Sequence, residues 1–216
     1  KLLANDSITI PETNMDQRAF ISVEGAFNRP GKFGWSEGMK ISDILSTQRD
    51  YLIDFSNETD FEIGLIERFD QKTKTYSVLK FSPIDLLNEP DSKSNIRLSE
   101  FDTIYFLPRN LIDRFFLLQP FISRLSENNT NGESLNLFSI TGDVKFPGTY
   151  PLPSNTSLIE AIQLAGGSSD TAFLDSIEIS RITNDSGFTQ SKVFEVSALA
   201  SSSEASNFKI LARDRV

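Results

Sequence analysis

The chain has 216 residues, with 21 Lys+Arg against 30 Asp+Glu and a formal net charge of −9. That length holds one or two domains with proper cores; 38% hydrophobic content argues against a disordered chain, and the acidic balance argues against nucleic acid as a partner. With no Cys and no His, thiol chemistry, disulfides, the usual zinc sites and every His-based triad are excluded, and no apolar run approaches the roughly 18 residues of a membrane-spanning helix.

In chain order, Asp6-Ser7-Ile8-Thr9-Ile10-Pro11 repeats Asp102-Thr103-Ile104-Tyr105-Phe106-Leu107-Pro108 with one residue fewer before the Pro, so residues 1–11 read as the tail of a preceding repeat unit. Ile21, Val23, Gly25 and Phe27 then alternate with Ser22, Glu24 and Ala26, the period-2 pattern of a half-buried strand. Pro30-Gly31 marks a turn, and a second short strand at Lys32–Trp35 closes a hairpin. A short helix follows with the stripe Ile41, Ile44 and Leu45, then strands at Phe61–Phe69 and Tyr76–Phe81 around the polar turn Asp70–Lys74.

Residues 109–136 form the junction. Leu111, Phe115, Leu118, Ile122 and Leu125 approximate helical spacing, as do Ile112, Phe115, Phe116 and Gln119, which predicts a helix reaching at least Pro120 and then the polar loop Glu127–Ser134.

Beyond the junction the first pattern returns. Phe138-Ser139-Ile140-Thr141-Gly142-Asp143-Val144-Lys145-Phe146-Pro147-Gly148-Thr149-Tyr150 lies over Ile21–Phe33, and Gly25 to Gly142 and Gly31 to Gly148 are the same shift of 117 residues. Leu158, Ala161, Ile162 and Ala165 form the next helix stripe, Ser157 and Glu160 have capping-box spacing, and Gly166-Gly167 supplies a left-handed C-cap. Strands at Ile177–Ile182 and Lys192–Val196 follow, and Asp214-Arg215-Val216 matches Asp102-Thr103-Ile104 at a shift of 112. The first unit departs from this pattern at Gln48-Arg49-Asp50, where the second has its glycines, and the last strand of the second is cut at Val216, so the sequence reads as a piece of a longer, multi-unit protein. Hairpin, helix, hairpin and closing strand, without βαβ alternation, predict an α+β fold in which a small mixed sheet grasps one helix.

The pattern apolar-x-Gly-x-apolar-x-x-Pro-Gly-x-aromatic, followed by a helix ending Ala165-Gly166-Gly167 and a late Asp-x-apolar, resembles the soluble-ligand-binding β-grasp (SLBB) domains of the bacterial polysaccharide export (OPX) outer-membrane protein family. The resemblance implies two tandem β-grasp domains, 18–108 and 137–216, joined by the partly helical 109–136. It further implies stacked rings in the periplasm at the outer membrane, a homo-oligomeric parent, polysaccharide as cargo, and an inner-membrane polysaccharide co-polymerase as partner. A periplasmic glycan- or small-ligand-binding module is the alternative reading.

Gly25, Pro30, Gly31, Gly142, Pro147 and Gly148 are read as turn and close-packing positions, and Asp102 and Asp214 as caps into the last strand. Phe33, Trp35 and Tyr150 are candidate saccharide-stacking aromatics, although hairpin packing explains them equally well. Arg68 and Arg181 fall near equivalent strand positions, each suited to an ion pair with an acidic partner. A glycosidase would need two carboxylates about 5–10 Å apart, and no acid pair recurs between the units: Glu24 faces Thr141 and Asp143 faces Ala26. With no phosphate loop, nucleophile elbow or metal cluster, neither catalysis nor a cofactor or metal is expected.

Overall fold

A computed structural model describes residues 19–45, 51–89, 91–127, 136–169, 176–182, 189–195 and 207–216. The expected tail at 1–11, the departure at Arg49-Asp50 and most of the polar loop at 127–134 lie outside them. The fold is α+β and β-grasp-like.

In the N-terminal half, β1 (Phe20–Gly25), β2 (Gly31–Gly34), β3 (Thr59–Asp70), β4 (Thr75–Phe81) and β5 (Thr103–Pro108) form one sheet in the order β2-β1-β5-β3-β4. β1 and β5 run parallel and the other neighbours antiparallel. The alternation in β1 sends Ile21 and Val23 to one face, where Ile66, Phe81, Ile104 and Phe106 join them. The short helix of the stripe is a 3-10 helix, Ile41–Ile44, which lies on that face with Ile41 and Ile44 buried. Short helices α1 (Tyr51–Asp54) and α2 (Pro83–Asn88) complete this half. Apolar periodicity did not single out α2, which Ser82 caps by accepting the Asp85 N–H with Pro83 in the first turn.

The junction helix α3 (Leu111–Glu127) runs straight through Pro120. Proline removes one backbone hydrogen bond there, and the burial of Leu118, Phe121 and Leu125 on both sides holds the helix together. Its buried stripe is Arg114, Leu118, Phe121 and Leu125, one step round from the expected one. Leu111, Ile112, Phe115 and Phe116 are 44%, 66%, 53% and 68% exposed, so these four apolar side chains in the first turns of α3 face outward.

The C-terminal half contains β6 (Leu137–Ile140) paired with β7 (Gly148–Pro151), α4 (Leu158–Leu164), and β8 (Ser176–Ile182) paired with β9 (Thr189–Glu195). Arg215 bridges the two hairpins, parallel to Ser139 and antiparallel to Ser180. Thr103 holds the corresponding position between Ser22 of β1 and Glu67 of β3.

The second face of the large sheet is buried too. Ile63, Leu65, Val78, Tyr105 and Leu107 share one continuous core with Leu118, Phe121 and Leu125 of α3 and with Phe138, Ile140, Ala161 and Leu164 of the C-terminal half. Of the residues expected in the cores, Ile21, Val23, Phe27, Ile44, Ile140 and Ala161 are buried. Val144 and Ile162 are only half-buried, against expectation, because each borders an opening between β6 and β8.

Because the core is continuous, Ile140→Ala should cost about 2–5 kcal/mol and should shift the denaturation midpoint reported by the single Trp, Trp35, on the far side of the large sheet. Exposed Lys145→Ala should stay within about 0.5 kcal/mol. A Trp35 transition that stays in place while circular dichroism moves would show the halves unfolding separately.

Candidate functional site

Each half contains the same charged clamp. Arg68 on β3 donates from Nε and Nη2 to the two carboxylate oxygens of Asp102 at 3.0 and 2.7 Å, and Arg181 on β8 does the same to Asp214 at 2.8 and 2.7 Å. Both carboxylates are fully buried, and each also accepts a backbone N–H three residues upstream, Ser99 or Leu211, at 2.8 Å. Each arginine makes a further 2.9 Å bond to a backbone carbonyl, of Arg97 or Lys209. The aspartates therefore hold the turn before them and also take up the paired arginines. Hydrogen bonding to Asp214 holds the Arg181 guanidinium above its ordinary range.

Immediately before each aspartate sits a non-glycine residue with positive φ, Phe101 (64°) and Arg213 (68°). Their N–H groups donate at 2.7 Å to Phe20 and Leu137, where β1 and β6 begin. Left-handed backbone at such residues costs of the order of 1 kcal/mol, and the clamp offsets it. Bidentate geometry of this kind joins charge to direction, so the clamp fixes the closing strand between the two hairpins.

The motif glycines serve this arrangement. Gly25 has φ +90°, and a Cβ there would lie 2.1 Å from the Phe106 carbonyl oxygen; Gly142 has φ +89° with open space beside it. Gly31 also takes a positive φ, whereas Gly148 does not. Pro30 and Pro147 are exposed in the turns. Gly166 and Gly167 cap α4 by donating to Gln163 and Ile162, and a Cβ on Gly166 would strike the Phe146 ring at 2.3 Å.

The three candidate aromatics separate. Tyr150 is buried, its hydroxyl donates to the Phe146 carbonyl at 2.5 Å, and burial pushes its pKa up to about 12. Stacking a sugar on Tyr150 would require the ring to leave the core. Phe33 and Trp35 keep part of their surface, although Phe33 meets Phe27 edge-on and the Trp35 indole donates to the Leu98 carbonyl at 3.0 Å.

The contacts between the halves come from residues the sequence did not single out. Arg114, 1% exposed, donates to Asp60 (2.5 Å), to the Pro108 carbonyl (2.9 Å) and to the Leu164 carbonyl (2.7 Å), with its guanidinium over the Phe146 ring. Its signal was a cation at a helical spacing of four from Leu118 and seven from Phe121. Near the other end of α3, Arg124 forms a two-armed pair with Glu67, whose carboxylate also accepts the Tyr105 hydroxyl. Burial and the Glu67 charge push the Tyr105 phenol well above its usual range.

A cleft of about 480 Å³ opens where β4, α2 and α4 meet, and its charged and amide lining is Glu62, Lys80, Asp85, Lys93, Glu160 and Gln163. Lys80 and Glu160 pair across the halves at 2.6 Å. Burial pushes the Glu160 carboxyl up, but the bonds from Lys80 and Ser157 outweigh it and hold the group below the usual carboxylate range. These alternating donors and acceptors suit a hydroxyl-rich ligand.

Residues 137–190 match the SLBB domain family. Domains of this type are soluble ligand-binding domains, found in polysaccharide export proteins and typically periplasmic. No curated protein matches the chain as a relative. Among the described residues, no helix is long and apolar enough to cross a membrane.

Arg181→Met should destabilise by about 3–5 kcal/mol, since it leaves the Asp214 carboxylate buried beside an apolar side chain; chemical denaturation measures it, and a loss below about 1 kcal/mol would make the clamp equivalent to a surface pair. Because the Glu160 pKa is depressed on folding, its contribution is present above the unfolded value, about 4.3, and is lost as pH falls through the folded value. Glu160→Gln should therefore flatten the acid limb of the stability profile below about pH 4, which a series of urea melts would reveal.

Proposed function

We propose that the chain carries two tandem SLBB-type β-grasp domains, 18–108 and 137–216, joined through 109–136, and forms a non-catalytic periplasmic part of a polysaccharide export protein at the outer membrane. The observation that carries this reading is the SLBB match over 137–190. The recurrence of the clamp, of the positive-φ residue before it and of the bonds to the start of β1 and β6 supports extending the reading to the N-terminal half. In this role the domains line a conduit in a homo-oligomeric parent, receiving capsular or extracellular polysaccharide delivered by an inner-membrane co-polymerase. A conduit must release what it passes, so its contacts with the polymer are weak.

The polar cleft beside Lys80 and Glu160 favours a second reading, a periplasmic glycan- or small-ligand-binding module. The two differ in affinity and in phenotype. For the export role, isolated oligosaccharide should bind the chain no tighter than about millimolar and should not be hydrolysed. Deleting the gene should leave polysaccharide synthesised but not displayed. Surface and intracellular polysaccharide assayed separately provide the test: normal surface display removes the export reading, and micromolar binding in calorimetry favours the receptor.

A further inference from the structure

The cleft where β4, α2 and α4 meet contains two kinds of polar group, those already bonded and those with bonds to give. Lys80 Nζ donates to Glu160 at 2.6 Å and to the Asn155 carbonyl at 3.3 Å. Glu160 also accepts the Ser157 N–H and hydroxyl, so this pair is a finished wall. Among the described residues, the side chains of Glu62, Lys93 and Gln163 make no hydrogen bond or ion pair, and all three line the cleft. Lys93 is nevertheless positioned, because its neighbour Ser94 accepts the Ser82 N–H at 3.1 Å and ties the loop to the start of α2.

Opposite charges that line one cleft without meeting leave donors and acceptors facing the same space. A hydroxyl satisfies both at once, since it donates to a carboxylate and accepts from an ammonium or an amide N–H. An acidic group would suit Lys93 alone. Three carboxylates, Glu62, Asp85 and Glu160, stand against two ammonium groups, so the lining carries one net negative charge within a chain of −9. That field repels an anion. Ile84, 37% exposed beside these groups, offers an apolar floor to the C–H face of a sugar ring. The volume of about 480 Å³ falls within the range of small-molecule pockets.

We propose that this cleft is a subsite for a short glycan segment that carries no acidic group. Glu62 accepts from ring hydroxyls, Lys93 and Gln163 donate to them, and Ile84 lies under the ring. The proposal rests on the reading of the chain as one that handles glycan, and adds the place and the charge class. Glu62 and Lys93 are exposed, so water competes for their bonds and binding stays weak. A segment in the cleft touches both halves, through Glu62, Ile84 and Lys93 on one side and Gln163 on the other.

Titrating the whole chain with maltose, cellobiose and diacetylchitobiose to about 50 mM, followed by NMR, tests the site in the millimolar range. At least one disaccharide should shift the amides of Ile84, Lys93, Ser94 and Gln163. Glucuronosyl-N-acetylglucosamine, which carries a carboxylate, should bind about tenfold more weakly or worse. Lys93→Met and Glu62→Gln alter exposed side chains, so each should leave the melting midpoint in place and weaken binding about fivefold or more. Tighter binding of the acidic disaccharide, or unchanged affinity in both variants, would overturn the proposal. Shifts gathered at Phe33 and Trp35 instead would overturn the cleft and leave glycan handling standing. An absence of shifts with every disaccharide would also overturn it, and the surface-display assay then decides the export reading independently.

Discussion

A guanidinium sealed from water needs an acceptor inside the protein for each of its three nitrogens. Arg114 meets that demand only with help from three separate places: Asp60 in β3, the Pro108 carbonyl at the end of β5, and the Leu164 carbonyl at the end of α4. The two halves are consequently held in one relation, because moving α4 away would take from a buried guanidinium the acceptor of its Nη1. The packing of Leu118, Phe121 and Leu125 between the halves presupposes that relation, and so does the Lys80–Glu160 pair.

Within each half a different interaction plays the equivalent part. The clamps of Arg68 on Asp102 and Arg181 on Asp214 sit where a closing strand enters between two hairpins. Backbone bonds alone would allow that strand to slip, and a slip by one residue would turn every apolar side chain to the wrong face. A planar fork gripping a carboxylate that also caps its own turn removes the freedom. The left-handed backbone at Phe101 and Arg213 is sustained by the same grip.

The parts of this structure that depend on local pattern were legible in the sequence. Alternation in Ile21–Phe27 and Phe138–Val144 gave the strands, and Ser157 with Glu160 gave the start of α4, whose capping box forms as expected. The helix across Pro120 was half legible: its spacing showed a helix, but two apolar stripes competed, and the buried stripe is neither of them and includes an arginine. No periodicity argument ranks a cation above Phe115 or Phe116 for burial; only the acceptors gathered from distant strands do. The arginines and the aspartates of the clamps were both visible as matched positions, but their pairing across 34 and 33 residues was not. Tyr150 misled because an aromatic beside a turn looks the same whether its ring faces a ligand or the core. Ser82-Pro83 carried the signal for α2, a good N-cap followed by a proline, in a stretch too short for a stripe.

Burial of both faces of the β1–β5 sheet has a mechanical consequence. A sheet covered on one side can be peeled from its neighbour, and a joint of two polar surfaces can turn like a ball in a socket. Here neither motion is open without wetting a shared core, at about 25 cal/mol for each Å² of apolar surface exposed. A torque applied to the N-terminal half is therefore resisted by the core it shares with the C-terminal half. Any hinge at α3 would have to open that core and part Arg114 from the Leu164 carbonyl.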